Sequence, residues 1–205
     1  MGDHRVTSQQ QLDEIYPRKV AATSWDKETP IINATYRKLI EAAPFLTIAS
    51  VGPEGMDCSP RGDGPGFVHI IDDGTIAIPD RRGNNRLDTI RNIVGDERVA
   101  LLFLIPGFNE TLRINGRAHI SVDPDLLKTF SVNEKLPASA IIVEIDTIYF
   151  QCARALKRAG LWDAEAQVDP KSLPSAGELV KSVVDSFDAG EYDKALPARQ
   201  KETLY

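Results

Sequence analysis

The sequence predicts a mainly β fold with flanking helices, arranged as a small closed or split barrel of about six antiparallel strands. Three observations predict it. Apolar residues at helical spacing occur mainly towards the two ends of the chain. Short runs rich in β-forming residues fill the middle. Turn sequences such as "DDG" (72–74) separate consecutive runs, which indicates antiparallel hairpins rather than an alternating strand–helix–strand sheet.

The composition fits one domain and limits the partners. A chain of 205 residues with 42% hydrophobic content can bury a sizeable core. Lys and Arg total 24 against 30 Asp and Glu, a net charge of -6, so no overall positive field attracts nucleic acid or an anionic membrane. No apolar run approaches the roughly 20 residues that span a bilayer, and no signal-peptide pattern opens the chain. We expect a cytoplasmic protein that binds neither nucleic acid nor membrane.

The first 44 residues predict helices. "TSQQQLDEIY" (7–16) opens with capping residues and continues with helical spacing. In "KETPIINATYRKLIEAAP" (27–44), Ile32, Tyr36 and Ile40 fall on one stripe, and the final proline ends the helix. Two cysteines, Cys58 and Cys152, are too few for a disulfide framework or a cysteine-built zinc site, and we expect both to be buried as small hydrophobic residues.

Six strands are predicted between residues 45 and 150. Their ranges are 45–51, 66–72, 75–80, 99–106, 110–122 and 140–150. "VALLFLIP" (99–106) is apolar throughout, which indicates a strand covered on both faces. The next strand alternates, and its polar row from Thr111 to His119 must face water or line a site. Residues 151–162 are predicted to form a helix, and 163–205 an extension outside the barrel.

The stretch "IPDRRGNNRLDTIRNI" (78–93) joins a strand to an amphipathic helix. Asn84 or Asn85 stands where a helix N-cap is expected, and free amides at a helix N-terminus favour an anion. The same loop carries three basic side chains, Arg81, Arg82 and Arg86. These features predict a phosphate-bearing ligand. A solvated turn whose arginines pair with neighbouring aspartates explains this stretch equally well.

A second Gly/Pro-rich stretch, "CSPRGDGPGF" (58–67), precedes this loop. It feeds the strand predicted to pair with 75–80, so hairpin geometry would bring Ser59 or Arg61 near the mouth of the arginine-rich loop. Two anion-binding segments would then converge. The alternative is that the prolines and glycines only shape a bulge at the edge of the sheet.

Five stretches together resemble a known family. "SPRGD", "IPDRRGNNRLDTIRNI", "LLFLIPG", "ETLRINGRA" and "CARALKRAGLW" occur in an order similar to that of the pyridoxamine 5'-phosphate oxidase-like flavoproteins, and more narrowly of a bacterial subgroup regarded as FMN-dependent enzymes. The resemblance covers roughly residues 30–165. It implies a six-stranded antiparallel split β-barrel over 45–162, within a single domain of 1–205. It also implies a homodimer with two FMN molecules in grooves shared between the subunits.

The resemblance further implies a set of cofactor-binding residues. The FMN phosphate would be held by Arg61, Asn84, Asn85 and Arg86. The flavin ring would lie along Ile78, Pro79 and Asp80. The partner subunit would contribute Thr111, its neighbour Arg113, Arg158 and Trp162. For the segment that carries Arg158 and Trp162, a plain amphipathic helix remains an equal alternative. We expect no catalytic side chain and no metal site.

Two departures from the named oxidase bear on the substrate. An arginine followed five residues later by a lysine marks one strand of that oxidase, whereas "RGDGPGF" (61–67) stands here, and the oxidase's C-terminal substrate-recognition segment is not matched. Pyridoxamine phosphate is therefore not the expected substrate. The resemblance implies an FMN-dependent oxidoreductase that transfers hydride through flavin N5 between a reduced donor, such as a nicotinamide, and a small molecule. A non-catalytic flavin-binding or flavin-sensing protein of the same fold is the alternative, and a haem-binding variant lacks an obvious axial histidine.

Overall fold

The computed structural model describes residues 4–83 and 85–205 of the chain. Within these residues, seven strands form one antiparallel sheet. The strands are β1 (Phe45–Gly52), β2 (Gly55–Gly62), β3 (His69–Asp72), β4 (Thr75–Pro79), β5 (Arg98–Ile105), β6 (Phe108–Ser121) and β7 (Ala140–Gln151). The helices are α1 (Gln9–Ile15), α2 (Ala34–Ala42), α3 (Asp88–Gly95), α4 (Pro124–Thr129), α5 (Arg154–Ala159), α6 (Ala176–Lys181) and α7 (Ala189–Thr203). The strand order is β2-β1-β5-β6-β7-β4-β3.

One face of the sheet builds the main core. Because side chains alternate along a strand, every second residue of β1, β4, β5, β6 and β7 enters a single apolar cluster. Helix α2 adds Ile32, Tyr36 and Ile40 to this cluster, as the sequence stripe predicts. A smaller cluster lies on the other face of β4 and β7, where α4 covers Ala77 and Ile142. These two strands are therefore covered on both sides within one chain.

The structure confirms the predicted hairpin and the predicted alternation along β6, and it shows one helix cap that was not predicted. The Asn33 side chain caps α2 by accepting hydrogen bonds from the backbone N–H groups of Thr35 and Tyr36 at 2.9 and 2.8 Å. The "DDG" turn joins β3 and β4 as an antiparallel hairpin. Strand β6 alternates as expected, with a bulge at the step from Asn115 to Gly116. Glycine is needed at 116, since a Cβ there would collide with a backbone carbonyl oxygen of β7.

The predicted count of six strands is wrong, because β2 is a seventh. We expected residues 58–67 to form a loop leading into a strand at 66, whereas β2 pairs with β1 along its whole length and β3 begins only at His69. This strand was not recognised in the sequence because Pro60 and the glycines at the two ends of the strand are typical of turns. Such residues are tolerated in β2 because it lies at the sheet edge. In the described part of the chain the sheet is open, with β2 and β3 at its two edges.

Three further expectations need correction. Helix α3 begins at Asp88 and Leu87 occupies its N-cap position with φ 58° and no side-chain cap, so Asn85 is not the cap. Asn84 lies outside the described residues. The predicted helix at 151–162 is shorter, because β7 continues to 151 and the helix spans only Arg154–Ala159. Cys58 and Cys152 are exposed rather than buried, since Cys58 lies on the edge strand and Cys152 just beyond β7.

The all-apolar strand β5 is covered on one face only within a single chain. Val99, Leu101 and Phe103 are buried in the main core. The residues between and beyond them, Ala100, Leu102 and Leu104, are half-buried on the opposite face. On β1, Thr47 and Ala49 are half-buried on the same side. We call this surface of β1 and β5 the outer face.

The C-terminal extension returns to the sheet through polar contacts. Asp193 of α7 accepts a hydrogen bond from the backbone N–H of Gly177 at 2.7 Å, which joins α7 to α6. Beyond α7, the Tyr205 hydroxyl donates to Asp63 at 2.6 Å, and the Lys135 ammonium donates to the backbone oxygen of Tyr205 at 2.7 Å. Helix α7 buries no residue, so the extension lies outside the core as expected. Across the described ranges, no helix has the length and apolar character needed to cross a bilayer.

Candidate functional site

Arg61 stands near the end of β2 and points to the core side of the sheet, because its register partner on β1 is the buried Leu46. A cavity of about 340 Å³ opens beside it, a size found among small-molecule sites. We call it the Arg61 cavity, and its lining residues are Ser59, Pro60, Arg61, Gly62, Phe67, Pro79, Asp80, Arg81, Arg82 and Gly83. The lining thus combines β2, the end of β4 and the arginine-rich loop.

The guanidinium group of Arg61 is incompletely paired. Its Nη1 donates to the backbone oxygen of Pro60 at 2.8 Å. Its Nε and Nη2 atoms are buried, and no hydrogen-bond partner for them is found in residues 4–83 and 85–205. Burial lowers the pKa of Arg61, while the nearby Asp80 and Asp57 carboxylates oppose that shift. An arginine keeps its charge under such conditions, so the site holds a buried cation with two unused donors.

Arg81 plays a structural part at the other side of the loop. Its Nε donates to Asp63 at 2.8 Å and its Nη1 to the backbone oxygen of Phe130 at 2.7 Å. Burial alone would raise the pKa of Asp63, but hydrogen bonds from Tyr205, from the Gly64 N–H and from Arg81 outweigh it and leave the pKa lowered. Arg81 therefore fixes the loop to Asp63 at the end of β2 and to Phe130 at the end of α4 rather than offering its charge to a ligand.

The other predicted phosphate ligands lie apart from Arg61. Arg86 is exposed over 87% of its side chain and donates from Nε to Asp88 at 2.6 Å, on a different cavity beside β2 and α3. Asn85 lines a third cavity, between the loop and α7. Asn84 is not among the described residues. Of the predicted phosphate ligands that the structure describes, Arg61 is the one that lines the Arg61 cavity.

Among the residues predicted to lie along the flavin ring, Pro79 and Asp80 line the Arg61 cavity. Asp80 is held in place by its backbone N–H, which donates to the backbone oxygen of Ser139 at 2.9 Å. Ile78 differs, because its side chain is completely buried in the main core. A ligand in the cavity could therefore contact the backbone atoms of Ile78 but not its side chain.

Two of the residues predicted to come from a partner subunit, Thr111 and Arg113, lie on the other face of the sheet. Leu46 of β1, Phe103 of β5 and Leu112 of β6 form one register row on the core side, together with Arg61. Thr111 and Arg113 flank Leu112 and so point to the outer face. One chain therefore places these two residues and Arg61 on opposite faces.

The contacts of this second group are also separate from Arg61. The Nη1 of Arg113 donates to the Tyr149 hydroxyl at 3.2 Å. The indole N–H of Trp162 donates to the backbone oxygen of Phe108 at 2.9 Å, which attaches the segment after α5 to β6. Arg158 is exposed in the last turn of α5. Trp162 is thus attached to β6, and neither Trp162 nor Arg158 lines the Arg61 cavity.

Two residues of this region carried no sequence signal. Tyr192 and Arg199 of α7 line the cavity between the loop and α7, together with Arg82 and Asn85. They are about forty to fifty residues beyond the last predicted strand. Only the way α7 returns to the loop brings them there, and no periodicity or motif in 163–205 could have indicated that contact.

Comparison with known proteins identifies the chain's relatives. A sequence model of the pyridoxamine 5'-phosphate oxidase family matches residues 32–152. Among solved structures, HupZ of Group A Streptococcus is 17% identical, covers 58% of this chain and 93% of its own, and has a TM-score of 0.48. General Stress Protein 26 of Bacillus anthracis is 16% identical, with 56% and 88% coverage and a TM-score of 0.44. No curated protein sequence matches the chain.

Proposed function

This chain belongs to the pyridoxamine 5'-phosphate oxidase family, and from that membership we propose that it binds FMN at the Arg61 cavity and acts as an FMN-dependent oxidoreductase. The observation that carries the proposal is the pair of buried, unpartnered Arg61 nitrogens, Nε and Nη2. These two atoms lie on the same edge of a guanidinium group, which matches two oxygens of a phosphate. A bound phosphate would supply both missing acceptors and neutralise the buried charge.

The surrounding residues fit this use of Arg61. Burial lowers the pKa of Arg61 and the Asp80 and Asp57 carboxylates partly oppose this shift; because an arginine keeps its charge in proteins, the guanidinium can pair with a phosphate. Pro79 closes one wall with a rigid ring that has no N–H to satisfy. Arg82 and Gly83 form the loop side of the same cavity. The chain thus offers a positive end for the phosphate and an apolar wall at the end of β4 for the ring.

When bound, FMN supplies hydride transfer at its N5 between a reduced donor, such as a nicotinamide, and a small molecule. The chain's own contribution would be to hold the phosphate at Arg61, to orient the ring against Pro79 and to exclude water from one side of the ring. No side chain is assigned an acid, base or nucleophilic role. The departures of the sequence from the named oxidase argue against pyridoxamine phosphate as the substrate.

We further propose that the working form is a homodimer in which a second copy completes each site. Arg61 faces one side of a single chain's sheet while Thr111 and Arg113 face the other, and neither Arg158 nor Trp162 lines the Arg61 cavity, so we propose that the second copy brings these residues to the ligand. The half-buried outer face of β1 and β5 is the natural contact for the second copy, because its alternate residues are apolar. An interface of this obligate kind buries on the order of 2,000 Å² or more.

Titration with two flavins tests the proposed binding. FMN and riboflavin differ only in the phosphate, so we expect FMN to bind at least about tenfold more tightly, which corresponds to one charge-assisted hydrogen bond. Quenching of flavin fluorescence measures both affinities. Equal affinities would contradict the phosphate role of Arg61. Stopped-flow mixing of the FMN-loaded protein with NADH and with NADPH tests the activity, and failure of both to reduce the flavin would favour a flavin-binding protein without this donor chemistry.

A further inference from the structure

A second, larger cavity lies between the arginine-rich loop and α7. Its volume is about 830 Å³, near the upper end for small-molecule sites. Arg82 and Asn85 line it from the loop, and Tyr192, Arg199 and Gln200 line it from α7. We call it the α7 cavity. It shares residues 80–83 with the Arg61 cavity, so the two spaces are neighbours along one short stretch of the loop.

The helix that forms one wall of the α7 cavity is anchored at both ends. Near its start, Asp193 accepts hydrogen bonds from the backbone N–H of Gly177 and from the Ser175 hydroxyl. Beyond its end, Tyr205 donates to Asp63, the same carboxylate that accepts from Arg81 of the loop. The loop and the distal end of α7 are therefore tied to one common group. This arrangement keeps the two walls at a fixed separation.

The lining of the α7 cavity is positive although the chain is acidic. Arg81 is neutralised by its ion pair with Asp63, so Arg82, Arg199 and the Asp80 carboxylate leave a formal charge of +1 on the lining, whereas the whole chain carries -6. Arg199 lies with its guanidinium carbon 4.6 Å from the centroid of the Tyr192 ring, seven residues earlier on the same helix. Such stacking orients a guanidinium group without using its hydrogen-bond donors. The cavity therefore concentrates positive charge where the rest of the chain would repel an anion.

We propose that the α7 cavity is the substrate chamber and that it takes a small organic anion, whose phosphate or carboxylate group contacts Arg199 and Arg82. This inference rests on the proposed function, because the shared stretch 80–83 would place the anion beside a flavin held at Arg61. The family match ends at residue 152, so α7 lies outside it. The chamber is thus a feature of this chain's own extension, and its substrate selection would differ from that of relatives that lack such a helix.

Calorimetric titration of the FMN-loaded protein tests the chamber separately from the cofactor. Inorganic pyrophosphate and succinate serve as probes for the phosphoryl and carboxylate chemistries. We expect at least one probe to bind to wild type and to bind about tenfold or more weakly to Arg199→Ala, since a charge-assisted contact is lost. The matched control is Lys201→Ala, which removes the same charge from the same helix at a position that does not line the cavity. FMN affinity should be the same in all three proteins.

Failure of the chamber and failure of FMN binding give different results. If wild type does not load with FMN, the same titrations are made on Arg61→Ala, in which the other anion site has been removed. Probe binding to Arg61→Ala that is lost in the double variant Arg61→Ala, Arg199→Ala still supports the chamber. Arg199→Lys keeps the charge and should retain part of the affinity. The proposal is overturned if neither probe binds, if Arg199→Ala binds as wild type does, or if Lys201→Ala weakens binding as much as Arg199→Ala.

Discussion

The Tyr205 hydroxyl donates a 2.6 Å hydrogen bond to the carboxylate of Asp63, which directly follows the strand that carries Arg61. The same carboxylate accepts a hydrogen bond from Nε of Arg81, in the arginine-rich loop, at 2.8 Å. Asp63 thus joins three separate parts of the chain: the edge strand, the loop and the C-terminal extension. Its side chain is 8% exposed, so these bonds form in a largely dry environment where they stabilise more than surface pairs do.

Replacing this carboxylate should lower stability in a pH-dependent way. The pKa of Asp63 is lowered in the folded chain, so its contribution is fully present above its unfolded pKa and is lost as the pH falls through the lowered folded value. We expect Asp63→Asn to cost about 2 kcal/mol of unfolding free energy at pH 7. The difference from wild type should shrink below about pH 4. Urea denaturation at several pH values measures both quantities.

The matched control for this experiment is Asp73→Asn. Asp73 also pairs with an arginine, Arg37, but at 3.3 Å and with 72% of its side chain exposed. Exposed pairs contribute roughly 0–1 kcal/mol, so this substitution should change little at any pH. If Asp63→Asn lowers the unfolding free energy no more than Asp73→Asn does, the three-part junction does not stabilise the fold.

Arg61→Ala and Arg86→Ala should differ sharply in flavin binding. Arg61 has two unpartnered buried nitrogens, whereas Arg86 is exposed and already bonded to Asp88. We expect Arg61→Ala to weaken FMN binding by about ten- to a hundredfold and to leave riboflavin binding nearly unchanged. Arg86→Ala should alter neither affinity by more than about threefold. Fluorescence titration measures the four values.

The flavin-free form of Arg61→Ala provides the control for a structural role. A buried charge that lacks full pairing destabilises the fold, so its removal should leave the unfolding free energy of the flavin-free protein unchanged or slightly raised. Thermal denaturation compares the two flavin-free proteins. A large loss of stability together with unaltered FMN affinity would mean that Arg61 supports the sheet rather than a ligand.

Truncation after Asp163 should leave the fold and FMN binding in place. The main core is formed by residues 32–148, and α7 buries no side chain. The truncated chain loses the Tyr205 hydrogen bond to Asp63 and one wall of the α7 cavity, so we expect about 1–2 kcal/mol lower stability and loss of anion binding. Circular dichroism and flavin titration check this. A truncated chain that does not fold would place the extension within the cooperative core.

A charge on the outer face should separate the subunits. Leu102 lies half-buried in the middle of that face, where a second copy would cover it. We expect Leu102→Arg to yield monomers that bind FMN weakly, because binding and dimerisation are linked when one ligand contacts both chains. Sedimentation velocity across a dilution series measures the association, with and without FMN. Val183→Arg, at a position 81% exposed on the extension, is the control and should remain dimeric.

Subunit mixing tests whether the sites are shared. In a mixed dimer of Arg61→Ala and Arg158→Ala chains, one groove would carry both substitutions and the other neither. Flavin binding should therefore recover partly when the two weak binders are mixed. Confirmed subunit exchange without any recovery would place all essential contacts on one chain.

The sequence predicted those features that depend on local pattern. Alternation along β6, the apolar run of β5 and the "DDG" hairpin could be recognised because side-chain periodicity follows directly from backbone geometry. Strand β2 was missed because Pro60 and the glycines at the two ends of the strand are typical of turns and are tolerated here only by the edge position. Edge positions depend on the assembled sheet, which no local window contains.

The candidate site was predictable in part for the same reason. Arg61 was selected from its place in a Gly/Pro-rich stretch, and it does face a cavity. Arg61 and Arg86 are separated because helix α3 starts late. Its N-cap is Leu87, in a left-handed backbone conformation, whereas a cap at Asn84 would have started the helix three residues earlier. A leucine in that conformation is uncommon, and propensity rules do not anticipate it. The α7 cavity required long-range docking, which sequence periodicity does not encode.

Pro60 also determines how this sheet can meet other chains. An edge strand normally offers a row of free N–H groups on which a foreign strand can align, and this is a route to fibril growth. The pairing of β2 with β1 continues without interruption at Pro60, so the proline nitrogen is directed away from β1. At that point the free edge of the sheet has no N–H donor. Strand addition along this edge is therefore interrupted near the end of β2. In the homodimer that we propose, the second copy would instead pack on the broad outer face of β1 and β5, where association can stop at two copies.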